Sequence, residues 1–253
     1  MKKYLGIFSL LFLLAAVNYI SAQEMPPDAA KAYNEGNKLM RAGDYDNAAK
    51  QYNEALKTAK DYRIYYQLGI TLKKQGKLDE AVDAFKNAIQ VNPNFDIAYN
   101  GLGGIYYQTG KYEDAVDAFR KFANMTKQSA QKARAKENLT HALVKLSEAV
   151  KKDGNHKRAI ELLKEAIDNY PTDAAYVLLA TAYYETGNYD LTLETADKAL
   201  NLRNFRMKGA AYYYKGMALK QKQNTEKAKE NFQLALKDPQ YKRLADYELK
   251  LLK

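Results

Sequence analysis

The sequence predicts an all-α solenoid of about six helix–turn–helix repeats with a C-terminal capping helix. Two observations carry that reading. The first is the stretch Tyr62–Phe95, where Tyr65, Leu68, Gly69 and Leu72 recur at steps of three and four and so share one helix face. Gly76 interrupts that helix, and Leu78, Ala81, Phe85, Ala88 and Ile89 line one face of a second. Pro93 closes the unit, because proline lacks the N–H that would continue a helix and biases its predecessor away from helical angles. The second observation is recurrence. Gly69, Gly76, Ala81 and Phe85 return 34 residues later as Gly103, Gly110, Ala115 and Phe119. Small residues at Gly69, Ala81 and Ala88 let paired helices approach, and Tyr65, Leu72 and Phe85 fill the space between neighbouring units.

This unit resembles the tetratricopeptide repeat, a 34-residue helix–turn–helix with an aromatic-Leu-Gly-Tyr first helix and an Ala-Phe-Ala-Pro second half. The resemblance implies a right-handed α-solenoid and an architecture without a fixed activity. Repeat one spans roughly Ala29 to Asp61, with Gly36, Gly43, Ala48, Tyr52 and Ala55 each preceding a repeat-two counterpart by 33 residues. Repeats two and three are Tyr62–Phe95 and Asp96–Ser129, so residues 23–129 hold the first three units. Residues 140–242 hold the other three. Repeat four carries Leu143, Gly154, Ala159 and Leu163, repeat five Tyr176, Leu179, Gly187 and Tyr189, and repeat six Tyr212, Gly216, Ala228 and Phe232.

Two segments break the period. Gly110 and Gly154 are 44 residues apart, ten more than one repeat, and the extra residues near 130–139 contain no Gly or Pro. One continuous helix from about Ser129 to Lys152 is expected. Whether this insertion reshapes the superhelix or merely lengthens a helix stays open from sequence. After repeat six, residues 243–253 place Leu244, Tyr247, Leu251 and Leu252 on one predicted face, suited to covering the open end of the last repeat. Docking of a partner is the competing role for this helix.

Residues 1–22 stand apart from the repeats. Lys2 and Lys3 precede an apolar run of 13 residues, Leu5 to Val17, and Ser21-Ala22 supplies small residues before Gln23. That layout predicts a cleaved secretory signal peptide. An uncleaved anchor would need about 20 apolar residues, and Asn18 interrupts this run. The chain has no Cys, which removes disulfides, thiolate metal sites, thiol catalysis and a lipid-attachment cysteine together. An exported protein of bacterial type is expected, in the periplasm or secreted, and soluble after cleavage. Asn124-Met125-Thr126 and Asn138-Leu139-Thr140 match the glycosylation acceptor pattern, which has no use in that setting.

The formal net charge of +10 is unevenly placed. Residues 23–126 carry 14 basic and 14 acidic side chains, 127–202 carry 11 and 11, and 203–253 carry 13 and 5. A basic C-terminal end would attract an anionic surface through a salt-weakened field. Lys outnumbers Arg 32 to 8, whereas nucleic-acid recognition favours the guanidinium fork. Nucleic acid is therefore not expected as a partner. An anionic envelope surface, membrane or polysaccharide, stays open.

No catalytic constellation is visible, and neither a metal site nor a cofactor is expected. His141 and His156 are 15 residues apart and outside any His-Glu-x-x-His arrangement. His156 falls at the turn position held by Leu78, Tyr112 and Tyr189 in other repeats, which points to packing. Gly101, Gly103 and Gly104 fall short of a dinucleotide fingerprint, because Tyr106 stands where the third glycine is needed. Most of the 22 tyrosines, among them Tyr65, Tyr99, Tyr106 and Tyr183, fall at packing positions.

The family resemblance implies that first helices line a concave groove that holds a protein or peptide partner. Carried over repeat by repeat, the groove positions are Tyr33 and Asn37 in repeat one and Arg63, Tyr66, Lys73 and Lys74 in repeat two. Asn100, Tyr107 and Gln108 follow in repeat three, Tyr184 in repeat five, and Tyr213 and Lys220 in repeat six. Aromatics there supply contact area and amides pair with backbone groups. One subfamily grips a terminal carboxylate with two Asn and three basic residues. Only Asn37 matches that clamp, the other four positions being Tyr33, Gln67, Ile97 and Gly101. The function expected is a non-catalytic scaffold in cell-envelope assembly, with the partner's identity and the oligomeric state left open.

Overall fold

The computed structural model describes residues 25–252, and the expected export leader lies outside the described residues. Within them the backbone forms thirteen α-helices and no strand. They pack pairwise: α1 (Pro27–Ala42) with α2 (Tyr45–Thr58), α3 (Tyr62–Lys74) with α4 (Leu78–Val91), and α5 (Asp96–Gln108) with α6 (Tyr112–Met125). The second half pairs α7 (Ser129–Lys152) with α8 (His156–Asn169), α9 (Asp173–Glu185) with α10 (Tyr189–Leu200), and α11 (Lys208–Gln221) with α12 (Thr225–Ala235). The odd helix α13 (Lys242–Leu251) packs on α12 and caps the stack. Among the described residues no helix is long and apolar enough to cross a membrane.

Each pair turns on a left-handed residue. At Gly76 (φ 78°) the amide N–H donates to the Lys73 carbonyl (3.1 Å), and Lys77 N–H donates to the Leu72 carbonyl (3.0 Å). These two bonds satisfy carbonyls that the helix end would leave unpaired. Repeat six makes the same pair of bonds at Gln223 (φ 59°), with a side chain in a region that only glycine enters freely. The helices that follow begin on side-chain caps where the sequence supplies them. Asp44, Asn155 and Asn224 accept from the third residue onward, as Thr172 does from Ala175 N–H at 3.2 Å.

Within a pair, an aromatic ring of the second helix packs closely against a glycine of the first. A Cβ at Gly69 would meet the Phe85 ring at 2.8 Å, and one at Gly103 would meet Phe119 at 2.7 Å. Tyr52 on Gly36 and Phe232 on Gly216 repeat this contact at 2.7 Å. Phe85 also closes on Gly101 of the next repeat at 2.7 Å, so one ring joins three helices. At the equivalent positions repeat four has Ser147 with Leu163, and repeat five has Ala180 with Ala196. The first partner grows as the second shrinks: Ser147 with Leu163 keeps the filled volume nearly constant, whereas Ala180 with Ala196 fills less.

Successive pairs stack in chain order, and α1 with α3, α3 with α5, and α9 with α11 also touch directly. No two even-numbered helices pack to that extent, so the odd helices form the inner row of a curved array. The exception is α7, 24 residues long against 13 for α3, α5 and α9. Its first turns rest through Ala135 on Phe122 and Ala123 of α6, with Ile97 and Tyr99 of α5 beside them. The buried Thr140 hydroxyl donates to the Ala166 carbonyl (2.9 Å), tying α7 to α8. The apolar core runs unbroken past this point, through Val116, Leu143, Leu163 and Leu179.

The cap reverses one expectation. Leu244, Tyr247 and Leu251 were the predicted inward face, yet they are 41%, 61% and 56% exposed. The buried side is Ala245 and Glu248, with Leu249 and Leu252 partly covered. Glu248 reaches Lys220 on α11 at 2.6 Å, and this ion pair, together with the tight fit of Ala245, sets the rotation of the helix. Of the predicted apolar face only Leu252 turns inward.

A left-handed non-glycine residue is disfavoured by about 1–2 kcal/mol. Gln223→Gly is therefore expected to stabilise the chain by about 1 kcal/mol, read as a higher midpoint in urea unfolding with an unchanged slope. No shift in the midpoint would contradict the assignment of strain to that turn.

Candidate functional site

The inner row gathers the predicted groove residues into two groups with different environments. In the first half, Tyr66, Lys73, Lys74, Asn100 and Gln108 line one cleft of about 310 Å³, floored by Ile70, Phe85 and Gly101. It adjoins a second of about 260 Å³, in which Lys73, Asn100 and Tyr107 meet Arg134, Asn138 and His141 of α7. Register alone identified the α3 and α5 members. Of the α7 members, Arg134 and Asn138 precede repeat four and His141 stands at the register position of Arg63, and what joins the three is a spacing of four and three residues on one helix face.

The glycine cluster on α5 is a packing device. Gly103 seats Phe119, Gly101 seats Phe85, and Gly104 leaves room for Lys73, whose Nζ would stand 3.3 Å from a Cβ there. The Lys73 side chain thus crosses from α3 onto the backbone of α5. Asn138 Nδ2 donates to Asn100 Oδ1 at 3.1 Å, bridging α7 and α5. Tyr66 sets its ring edge-on to Phe95 (5.1 Å) and tilted to Phe85 (5.7 Å). Burial pushes its phenol up from the ordinary value. Tyr107 is held the same way by Tyr112 at 5.8 Å.

Four other predicted positions are engaged inside the molecule. Asn37 Oδ1 accepts from the Tyr52 hydroxyl at 2.7 Å, and Tyr33 packs on the same ring at 6.0 Å. Arg63 donates from Nε to the Asp61 carboxylate at 2.9 Å. Burial works against the charge on Asp61, but the hydrogen bonds from Arg63 prevail and hold its carboxyl below the usual range. Lys220 is the partner of Glu248.

The second half presents an aromatic cluster instead of a cleft. Tyr213 touches Tyr214 (5.4 Å), Tyr241 (5.5 Å) and Phe232 (5.9 Å), and Tyr184 reaches Tyr214 at 6.1 Å. Burial, with Glu248 adding to it, pushes the Tyr213 phenol up to about 12. A larger cavity of about 470 Å³ lies between α8, α9 and α10, outside the inner row, lined by Lys164, Asp168, Glu194 and Lys198 among others. Its Lys198 is already paired with Glu194 at 2.6 Å. Among the described residues no group of three His, Asp or Glu side chains could hold a metal ion.

The charge asymmetry of the sequence is partly folded away. Lys215 and Lys222 of the basic end pair with Asp197 and Asp190 of the stretch before it, residues 166–202, which carries 6 acidic and 1 basic side chains. Arg120 joins Glu165 at 2.9 Å and Lys151 joins Glu185 at 2.8 Å, again between neighbouring repeats. His156 lies 3.9 Å from the same Glu185 and is half-buried at the turn.

Comparison with known proteins settles the family. The tetratricopeptide-repeat pattern matches residues 33–71, 66–133 and 144–206, and a second form of it matches 209–237. The chain belongs to the tetratricopeptide-repeat family. A small glutamine-rich tetratricopeptide repeat-containing protein 2 from Mycosarcoma maydis is 33% identical over 98 residues, covering 37% of this chain and 28% of that protein. Human DnaJ homolog subfamily C member 3 is 23% identical over 251 residues, 82% of this chain and 50% of that protein. This tetratricopeptide-repeat chain thus spans at most half of either relative. Among solved structures, YrrB, described as a TPR protein with an unusual peptide-binding site, superposes with a TM-score of 0.51 at 21% identity. The match covers 80% of this chain and 99% of YrrB. MamA superposes with a TM-score of 0.50 at 21% identity over 79% of this chain and 94% of that one. Both likenesses concern the fold.

Two measurements test these environments. Lys220→Met leaves the buried Glu248 without its cation and is expected to lower thermal stability, while Lys220→Met/Glu248→Leu recovers most of the loss. Equal stability of the two variants would show the pair to be inert. Tyr213 has a folded value above its unfolded value of about 10, so its neutral form is favoured by folding. That contribution is complete below pH about 10 and is lost as pH rises toward about 12. The ultraviolet tyrosinate signal absent from Tyr213→Phe should accordingly appear late in an alkaline titration. Its appearance at the pH of free tyrosine would refute the buried setting.

Proposed function

We propose that this chain is an exported, non-catalytic scaffold that holds an extended segment of a partner protein along its inner row of helices, in assembly of the cell envelope. One observation carries the reading: two adjoining clefts on α3, α5 and α7, walled by Tyr66 and Tyr107 and edged with amides and cations. Rigid aromatic walls give contact area at little entropic cost, and Asn100, Asn138 and Gln108 offer both donors and acceptors to a peptide backbone. The family's habit of binding proteins and peptides, and the peptide-binding site named for YrrB, support it. Export rests on Lys2, Lys3 and the apolar run to Val17. The envelope is one destination open to an exported chain, and the one proposed.

A second reading draws on α13. Leu244, Tyr247 and Leu251 are exposed beside Lys242, Arg243 and Lys250, which suits docking of the C-terminal end on an anionic membrane or polysaccharide. Lys250 is paired with Asp246 at 2.7 Å, and the ion pairs of Lys215, Lys220 and Lys222 weaken the local field further. The groove reading is therefore preferred.

A pull-down from native envelope extract, at low and high salt, separates the two. The groove reading expects a protein retained at high salt and weakened at least about tenfold by Tyr66→Ala/Tyr107→Ala. Gln108→Trp, which adds bulk at an exposed lining position without removing packing, should act likewise. Capture that disappears with salt and is indifferent to both variants would replace the groove with the basic end.

A further inference from the structure

The long helix α7 brings into the groove residues that the repeat does not account for. The family match leaves residues 134–143 uncovered, and Arg134, Asn138 and His141 fall inside that interval. All three line the cleft of about 260 Å³, across from Lys73 of α3 and Asn100 of α5. Lys73 is drawn over Gly104 instead of extending away from the groove, since its Nζ would stand 3.3 Å from a Cβ at that position. Two cations from separate helices thus converge on a pair of hydrogen-bonded amides.

Nothing in the cleft neutralises them. No Asp or Glu lines either adjoining cavity. Among the described residues Lys73 and Arg134 have no ion-pair partner, whereas Arg63, Arg120 and Lys151 each have one. Asp96, at the start of α5, bears on the neighbouring Tyr66, where the field of Arg134 opposes it. None of these groove residues stands at a position of the family's terminal-carboxylate clamp, where this chain has Tyr33, Asn37, Gln67, Ile97 and Gly101.

The geometry points to a subsite for an acidic peptide: an Asp or Glu side chain of the bound segment sits between Lys73 and Arg134, and Asn100 and Asn138 pair with its backbone. The inference rests on the groove reading above and gives it a ligand class. A carboxylate entering a cleft with two cations and no competing anion gains charge-assisted hydrogen bonds. The elongated shape, one cleft running into the next along three helices, fits an extended chain better than a small anion. A nucleic-acid strand is disfavoured by the same geometry. Stacking of bases needs free aromatic faces, and the rings of Tyr66 and Tyr107 are held against Phe85, Phe95 and Tyr112.

The test is selection of random-sequence displayed peptides on the immobilised full chain, repeated with Lys73→Glu/Arg134→Glu and with Tyr66→Ala/Tyr107→Ala. Both charge-reversed positions are exposed, and the helical circular dichroism of each variant confirms folding. The expected result is enrichment of Asp and Glu on the unaltered chain and a loss of at least about tenfold in affinity on charge reversal. Replacing the acidic residues of a selected peptide by Lys should restore binding to the reversed variant. Acidic peptides that bind the reversed variant equally well would overturn the subsite. So would selected peptides with no acidic enrichment that still depend on Tyr66 and Tyr107, an outcome that leaves the groove itself intact. Peptides indifferent to the tyrosines remove the groove reading and the subsite with it. Binding of a single-stranded DNA oligonucleotide that is abolished by the reversal, without acidic enrichment, assigns the cations to phosphate instead.

Discussion

The structure depends on a ring resting on a helix backbone. In four of the six repeats a Tyr or Phe of the second helix lies against a glycine of the first, closer than any Cβ would permit. That contact sets the distance between the paired helices, and with it the width of the inner row. Where the pair changes, it changes on both sides: Ser147 with Leu163, Ala180 with Ala196. Ser147 with Leu163 exchanges volume between the partners, which close-packed interiors tolerate, whereas Ala180 with Ala196 gives up net volume. Phe85, which seats on Gly69 and on Gly101, shows that the same device that builds one repeat also fastens the next.

The repeats were legible because this contact is written in the sequence as a period of glycine and aromatic positions. The length of α7 was legible for a complementary reason, since no Gly or Pro falls between Gln128 and Lys152. The rotation of α13 was not. Apolar spacing put Leu244, Tyr247 and Leu251 inward, but the fold satisfies Glu248 with Lys220 and turns that face to solvent. Hydrophobic pattern counts leucines; it does not count a carboxylate whose partner lies on another helix. Asn37 and Arg63 illustrate the same blindness, as register placed them on the groove while Tyr52 and Asp61 hold their polar atoms. Arg134 and Asn138 escaped because they precede repeat four and no repeat position carries over to them; His141 stands at the register position of Arg63 and was read only as one of two isolated histidines.

Charge behaves similarly. Counted along the chain, an acidic stretch precedes a basic end; folded, Lys215 and Lys222 reach back to Asp197 and Asp190. Stacked repeats place each segment against its sequence neighbour, so opposite blocks one repeat apart become ion pairs. The cations lining the first-half cleft have no such block beside them, and there the field persists.

The cap also determines how far the array extends. Each repeat presents to the next an edge that another copy of the same unit would fit, and a stack left open at one end invites further units. Glu248 and Ala245 close that edge with a helix that carries no glycine seat for a following ring. Among the described residues the inner row therefore ends on α11, followed by a helix of another kind and not by a further glycine-seated pair.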